Sequence, residues 1–116
     1  ELVGRWPRLF SAAAFVAAHY DLDPVKPLIK RLTEEQALPL WFFHAKNDEV
    51  CPHADVEALV MKLRERSQAD VRFTSYLDTW SSQGHCADRV AFWATGEEAR
   101  GNELFQWLAC EHAARK

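Results

Sequence analysis

Two side chains in this sequence are of types that transfer protons, and each follows an apolar segment. Asp48 comes shortly after the uninterrupted apolar run 40–43, and Gly84-His85 follows the β-branched and aromatic run 71–76. A histidine base needs a partner that fixes its tautomer and stabilises the imidazolium, and a carboxylate in a rigid turn does both. Asp48 and His85 are therefore candidates for an acid–base pair. The alternative is that Asp48 is a turn residue and His85 a surface loop residue.

The segments around this pair alternate between strand and helix patterns. The run 40–43 is typical of a strand buried on both faces of a parallel sheet, and residues 71–76 favour the next strand. Two further segments carry apolar residues at i, i+3, i+4 and i+7, which predicts one amphipathic helix each. These residues are Val25, Leu28, Ile29 and Leu32 in the first segment and Val56, Leu59, Val60 and Leu63 in the second.

The two ends of the chain complete the alternation. Residues 1–6 are typical of the end of a helix, which Pro7 terminates. The small apolar run 11–18 suits a helix by propensity or a short central strand, and the surrounding order favours the strand. The last helix is predicted to begin near Asn102, a good N-cap, and to bury Leu104, Phe105 and Leu108.

This order of elements predicts an α/β fold with parallel strands, right-handed crossovers and helices on both faces, in three αβα layers. In such sheets ligands bind at the carboxyl ends of the strands. Asp48 and His85 are both expected just beyond such ends.

Residues 38–52 and 71–85 together resemble the C-terminal half of an α/β-hydrolase, of the esterase, dienelactone-hydrolase and prolyl-oligopeptidase-like branch. In that branch an apolar strand runs into His-Gly-x-x-Asp-x-x-Val-Pro, and this chain has His-Ala-Lys-Asn-Asp-Glu-Val-Cys-Pro at 44–52. A helix, a strand with an aromatic and acidic end (76–78) and Gly-His follow, as in the family. The resemblance implies that Asp48 is the acid and His85 the base of a catalytic triad.

The match has departures. Ala45 stands where the family usually has Gly, and Cys51 where it usually has Val. Residues 79–83 lengthen the approach to His85, and residues 89–101 lengthen the route to the last helix.

The resemblance also implies what is missing. Residues 2–13 are similar to the helix after the nucleophile elbow and the strand that follows it, so the nucleophilic serine is expected a few residues before Glu1. No serine of the chain has glycines at the elbow spacing; the serines considered are Ser11, Ser67, Ser75, Ser81 and Ser82. We therefore expect residues 1–116 to form a single partial α/β-hydrolase domain that is inactive alone.

For the intact protein, the resemblance implies a serine hydrolase that acts on carboxylic esters or peptides through a Ser-Asp-His triad and an acyl-enzyme. No metal or organic cofactor is expected. The alternative is a non-catalytic α/β-hydrolase-like module that binds a partner, for which an exposed sheet edge is an obvious pairing surface. A Gly-x-Ser-x-Gly motif upstream of Glu1 would support the enzyme over the binding module.

Several other residues are secondary candidates. His19, Tyr20 and Trp80 are candidates for the substrate pocket, although core packing explains Trp80 and also Trp93 equally well. Glu49 is the alternative acid, and His44 is interpreted as a core histidine with satisfied hydrogen bonds. A zinc site is conceivable from Cys51, His53, His85 and Cys86, but their spacing matches no familiar zinc motif and a buried Cys51 thiol is favoured. If their two loops meet, Cys51 and Cys86 could form a disulfide.

Composition excludes some classes of function. The formal net charge of −3 and pI near 5.9 provide no attraction to nucleic acid or anionic membranes. No apolar run approaches the roughly 18 residues of a membrane span. Three cysteines, an odd number, argue against a disulfide framework, so the cytoplasm is weakly favoured and the location is otherwise unknown.

Overall fold

The structure, a computed structural model, describes residues 3, 6, 9–18, 38–66, 70–77 and 101–115. The elements are β1 (Ala13–Val16), β2 (Leu40–Ala45), α1 (His53–Arg66), β3 (Val71–Tyr76) and α2 (Gly101–Ala114). The run 11–18 therefore contains a strand, as the order of elements predicted. The predicted helix at 25–32, most of residues 1–6 and the loop that holds His85 lie outside the described residues.

The three strands form one parallel sheet in the order β1-β2-β3. Leu40 of β2 lies opposite Ala13 on one side and Val71 on the other, so the carboxyl ends of the strands meet at one edge of the sheet. The backbone N–H of Lys46 continues the pairing by donating to the carbonyl of Tyr76 at 2.7 Å. The predicted α/β fold with parallel strands is confirmed, and β2 between its two neighbours directs the following loop to this edge.

Helix α1 covers one face of the sheet. Alternate residues of a strand point to opposite faces, and Leu40 and Phe42 point to the face that α1 covers. The apolar stripe predicted for this helix is confirmed, because all four of its residues are buried: Val56, Leu59, Val60 and Leu63. This packing fixes the first turn of α1, and therefore the end of the loop after β2, against the sheet.

Helix α2 covers the opposite face, so the described elements form the three expected layers. Trp41 and Phe43 point to this face and pack with Leu104 and Trp107. Trp41 and Trp107 meet edge to face, with ring centroids 5.5 Å apart.

The prediction that three residues of α2 lie in the core is wrong for one of them. Leu104 is buried and Leu108 is partly buried as expected, but Phe105 is 57% exposed and Trp107 is buried instead. Leu104, Trp107 and Leu108 lie at i, i+3 and i+4 and share one face, whereas Phe105 is turned about 100° away from Leu104. The helices among the described residues are too short or too polar to cross a bilayer.

Candidate active site

The loop after β2 holds Asp48 in one orientation. The side chain of Asp48 is fully buried, and its backbone N–H donates to the carbonyl of Ala45 at 3.3 Å. Its Oδ1 accepts the backbone N–H groups of Val50 at 2.9 Å and Cys51 at 2.8 Å. An aspartate that binds the backbone N–H two residues ahead forms an Asx turn. The turn therefore fixes Oδ1 by two bonds from the main chain.

The second carboxylate oxygen of Asp48 faces His44, the fifth residue of β2. His44 Nε2 lies 3.2 Å from Asp48 Oδ2 and 2.6 Å from the carbonyl oxygen of Cys51. A carbonyl oxygen can only accept a hydrogen bond, so Nε2 carries a hydrogen that it donates to Cys51, while Asp48 Oδ2 lies beside the same nitrogen. His44 is 1% exposed. It is a core histidine with satisfied hydrogen bonds, as interpreted from the sequence.

Asp48 and Glu49 differ in environment although both are carboxylates. Glu49 is exposed, whereas Asp48 is buried and bonded to the main chain. A triad acid must be held rigidly beside its histidine. The burial and bonding of Asp48 meet this requirement, and its assignment as the triad acid stays a prediction.

Cys51 closes the loop as a buried thiol. Burial raises the pKa of Cys51, and the negative charge of Asp48 raises it further. Cys51 and Cys110 are free cysteines, while Cys86 lies outside the described residues. Among the residues that the structure describes, no group of three or more His, Cys, Asp or Glu side chains is arranged to hold a metal ion.

A contact between His53 and Ser75 was not anticipated from the sequence. His53, the first residue of α1, places Nε2 2.7 Å from Ser75 Oγ, and its ring stacks on Phe73 with centroids 5.3 Å apart. Burial lowers the pKa of His53, with the positive charge of Lys46 and the neighbouring His44 acting in the same direction and Glu57 opposing them. The contact joins α1 to β3.

The sequence alone does not reveal this contact, because the contact depends on the register between β2 and β3. His44 and Ser75 lie directly opposite each other in β2 and β3, and the rings of His44 and His53 have centroids 6.2 Å apart. Strand pairing of residues 31 positions apart therefore brings these polar groups together on the α1 face.

The remaining predicted site residues lie outside the described residues. They are His85, the pocket candidates His19, Tyr20 and Trp80, and also Trp93 and Cys86. The contact between Asp48 and His85 therefore stays a prediction.

The described elements define an α/β protein with a buried carboxylate at the carboxyl edge of its sheet. No protein-family model matches the sequence, and a search of curated proteins gave no significant match. Among solved structures, the crystal structure of a thermostable esterase matches with 25% sequence identity and a TM-score of 0.66. The match covers 93% of this chain and 26% of that chain, so this chain spans about a quarter of the esterase's length. The chain has the fold of the C-terminal portion of an α/β-hydrolase.

Proposed function

We propose that this chain is the C-terminal portion of a serine hydrolase that acts on carboxylic esters or peptides, and that it supplies the acid and the base. The observation that carries the proposal is the buried carboxylate of Asp48, held by two backbone N–H groups just beyond the central strand β2. The similarity of fold to an esterase supports the reaction class.

Asp48 has the bonding capacity that the role requires. A carboxylate has about four lone-pair positions, and the N–H groups of Val50 and Cys51 are two of the donors to Asp48. In the proposed mechanism a ring N–H of His85 donates to Asp48, which fixes the tautomer and stabilises the imidazolium.

The base and nucleophile then act in two steps. The other ring nitrogen of His85 takes the proton of a serine hydroxyl from outside residues 1–116, and the serine oxygen bonds to the substrate's carbonyl carbon. The alcohol or amine leaves with the proton from His85, and an acyl-enzyme remains. Water, deprotonated by His85, hydrolyses the acyl-enzyme and regenerates the serine.

The test uses the intact protein that contains this chain. A serine-reactive phosphonate probe should label one serine, and peptide mapping should place that serine upstream of Glu1. A panel of aryl and alkyl esters and peptide anilides then measures turnover. His85→Ala and Asp48→Asn should each lower kcat by roughly 10³- to 10⁴-fold, as for other triads.

Glu49→Gln is the matched control for Asp48→Asn. It removes the adjacent, exposed carboxylate and should leave kcat/KM within about twofold of the parent, since surface substitutions away from a site have small effects. Full turnover in the His85→Ala variant would contradict the proposal. Absence of both phosphonate labelling and turnover would support the non-catalytic binding module instead.

A further inference from the structure

Ser75 and His53 lie close enough for the histidine to take the proton of the serine. Ser75 Oγ is 2.7 Å from His53 Nε2, and a general base acts over roughly 2.6–3.2 Å. Ser75 is exposed near the carboxyl end of β3, so a molecule in the solvent can reach its hydroxyl group. A serine hydroxyl is a weak nucleophile until an adjacent base takes its proton. The two side chains therefore have the arrangement of a nucleophile and its base.

The His53 ring is held in its orientation by its surroundings. It stacks on Phe73 with ring centroids 5.3 Å apart and an angle of 30° between the planes. Phe73 and Ser75 are two residues apart in β3 and therefore point to the same face of the sheet. His53 begins α1, whose apolar stripe packs on that face. Packing of α1 and the Phe73 ring together direct the histidine toward the serine.

The surroundings of His53 also keep its ring neutral near pH 7. Burial lowers the pKa of His53 below its usual 6.5, Glu57 opposes this shift, and His44 and Lys46 add to it. A neutral imidazole has one acceptor nitrogen, whereas the protonated ring has none. His53 is therefore mostly in the form that can accept a proton.

We propose that Ser75 is a reactive serine that His53 activates toward esters with a good leaving group, such as aryl esters. His53 carries its hydrogen on Nδ1, and Nε2 accepts the hydrogen bond from the Ser75 hydroxyl. As Ser75 Oγ bonds to the carbonyl carbon of the ester, Nε2 takes the proton of the hydroxyl. The bond from that carbon to the aryl oxygen then breaks, the phenolate leaves, and acyl-Ser75 remains. His53 returns the proton to the solvent.

The test uses 4-nitrophenyl acetate and the intact protein with His85→Ala, in which the proposed triad has lost its base. A serine–histidine pair reacts more slowly than a full triad, so the ester is used in excess, whereas brief phosphonate treatment labels only the faster triad serine. Mass spectrometry of peptides should find the acetyl group on Ser75, and this signal should be lost in Ser75→Ala. His53→Gln should slow the acetylation of Ser75 by about 10²-fold, because an amide can keep the hydrogen bond but cannot act as a base.

Ser11 provides a control within the same chain. Its Oγ also faces a histidine, but the distance to His112 Nδ1 is 3.5 Å, longer than a general base requires. Ser11 should therefore be acetylated no faster than Ser75 is in His53→Gln, and His112→Gln should leave the acetylation of Ser75 within about twofold. Equal rates at Ser75 with and without His53→Gln would overturn the proposal, as would equal rates at Ser11 and Ser75.

The pH dependence of acetylation needs no substitution at the pair itself. The rate at Ser75 should rise as His53 loses its proton and level off above the pKa of His53, which ¹⁵N NMR of the ring measures. The same spectra should show the hydrogen of the neutral ring on Nδ1. A rate that keeps rising in proportion to hydroxide, or a hydrogen on Nε2, would overturn the proposal. Neither readout involves Asp48 or the serine expected upstream of Glu1, so failure here leaves the proposed function unaffected, and the reverse also holds.

Discussion

Asp48 and Glu49 are neighbouring carboxylates whose burial and bonding differ because they occupy different positions in the loop. The two residues are adjacent and chemically alike, yet the main chain binds Asp48 and leaves Glu49 at the surface. The shorter side chain of aspartate suits it to an Asx turn with the N–H two residues ahead. The loop therefore presents a fixed acid at the carboxyl edge of the sheet.

Cys51 offers a pH test of the environment of this acid. Burial and the charge of Asp48 raise the pKa of Cys51 above that of the unfolded chain. As pH rises past about 8.5, the usual pKa of a thiol, the unfolded state loses the proton first and binds fewer protons than the folded state. The contribution of Cys51 to stability is therefore present below this pH and is lost as pH rises.

We predict that the wild-type protein loses stability relative to Cys51→Val between about pH 8 and pH 10, the range that follows from the usual thiol pKa. The valine variant removes this titration and keeps nearly the same volume. Urea unfolding of both proteins across this range measures the difference, in which the titration of all other groups cancels. A difference in unfolding free energy that does not change with pH would show that the Asp48 environment does not oppose ionisation of Cys51.

The choice of which face of α2 is buried depends on contacts with the sheet, because the sequence of the helix allows more than one apolar stripe. Leu104, Phe105, Trp107 and Leu108 are all apolar, so more than one stripe is possible. The helix buries the stripe with Leu104 and Trp107, because Trp107 packs edge to face with Trp41 of β2. The guanidinium of Arg72 in β3 also lies 5.7 Å from the centroid of the Trp107 ring, which adds a cation–π contact to this face.

Two alanine substitutions in α2 should therefore differ. Leu104→Ala should lower the free energy of unfolding by about 2–5 kcal/mol, since it leaves a cavity in the core. Phe105→Ala should lower it by less than about 1 kcal/mol, because the side chain is more than half exposed. Denaturant unfolding of the two variants measures both values, and similar losses would show that α2 is rotated from the orientation described.

The described sheet has β1 and β3 as its outer strands. The N–H of Ala13 donates to the carbonyl of Pro39, just before β2, and the N–H of Ala17 donates to the carbonyl of Phe43 in β2. Backbone groups alternate sides along a parallel strand, so the N–H of Ala14 points away from β2. A strand edge of this kind can pair with another chain, which is the pairing predicted from the sequence.

We predict that the 116-residue chain self-associates through β1. Ala14→Pro should lower the dimer fraction in sedimentation velocity, since proline removes an outward N–H and is tolerated at an edge. Ala13→Pro is the matched control: it removes the bond to Pro39 at 3.0 Å and should destabilise the fold. A dimer fraction unchanged in a folded Ala14→Pro variant would exclude this edge.

Local patterns in the sequence were sufficient to predict much of this fold. The apolar run 40–43 predicted β2, the spacing of four residues predicted the buried face of α1, and the position of Asp48 beyond its strand predicted an acid at the sheet edge. Each of these depends on side-chain periodicity or on neighbours a few residues away. The strand at 13–16 was ambiguous by itself, and pairing with residues 40–43 resolves it.

The contacts that shape the site depend on long-range packing. The His53–Ser75 bond needs the register of β3 against β2 and the docking of α1, and the exposure of Phe105 needs the rotation of α2 against Trp41. The hydrogen bond from His44 Nε2 to the Cys51 carbonyl and its 3.2 Å contact with Asp48 need a side-chain and loop geometry that the spacing of these residues does not specify. Sequence periodicity defines which face of an element is apolar, but hydrogen bonds form over a few ångströms between groups that only the packed sheet and helices bring together.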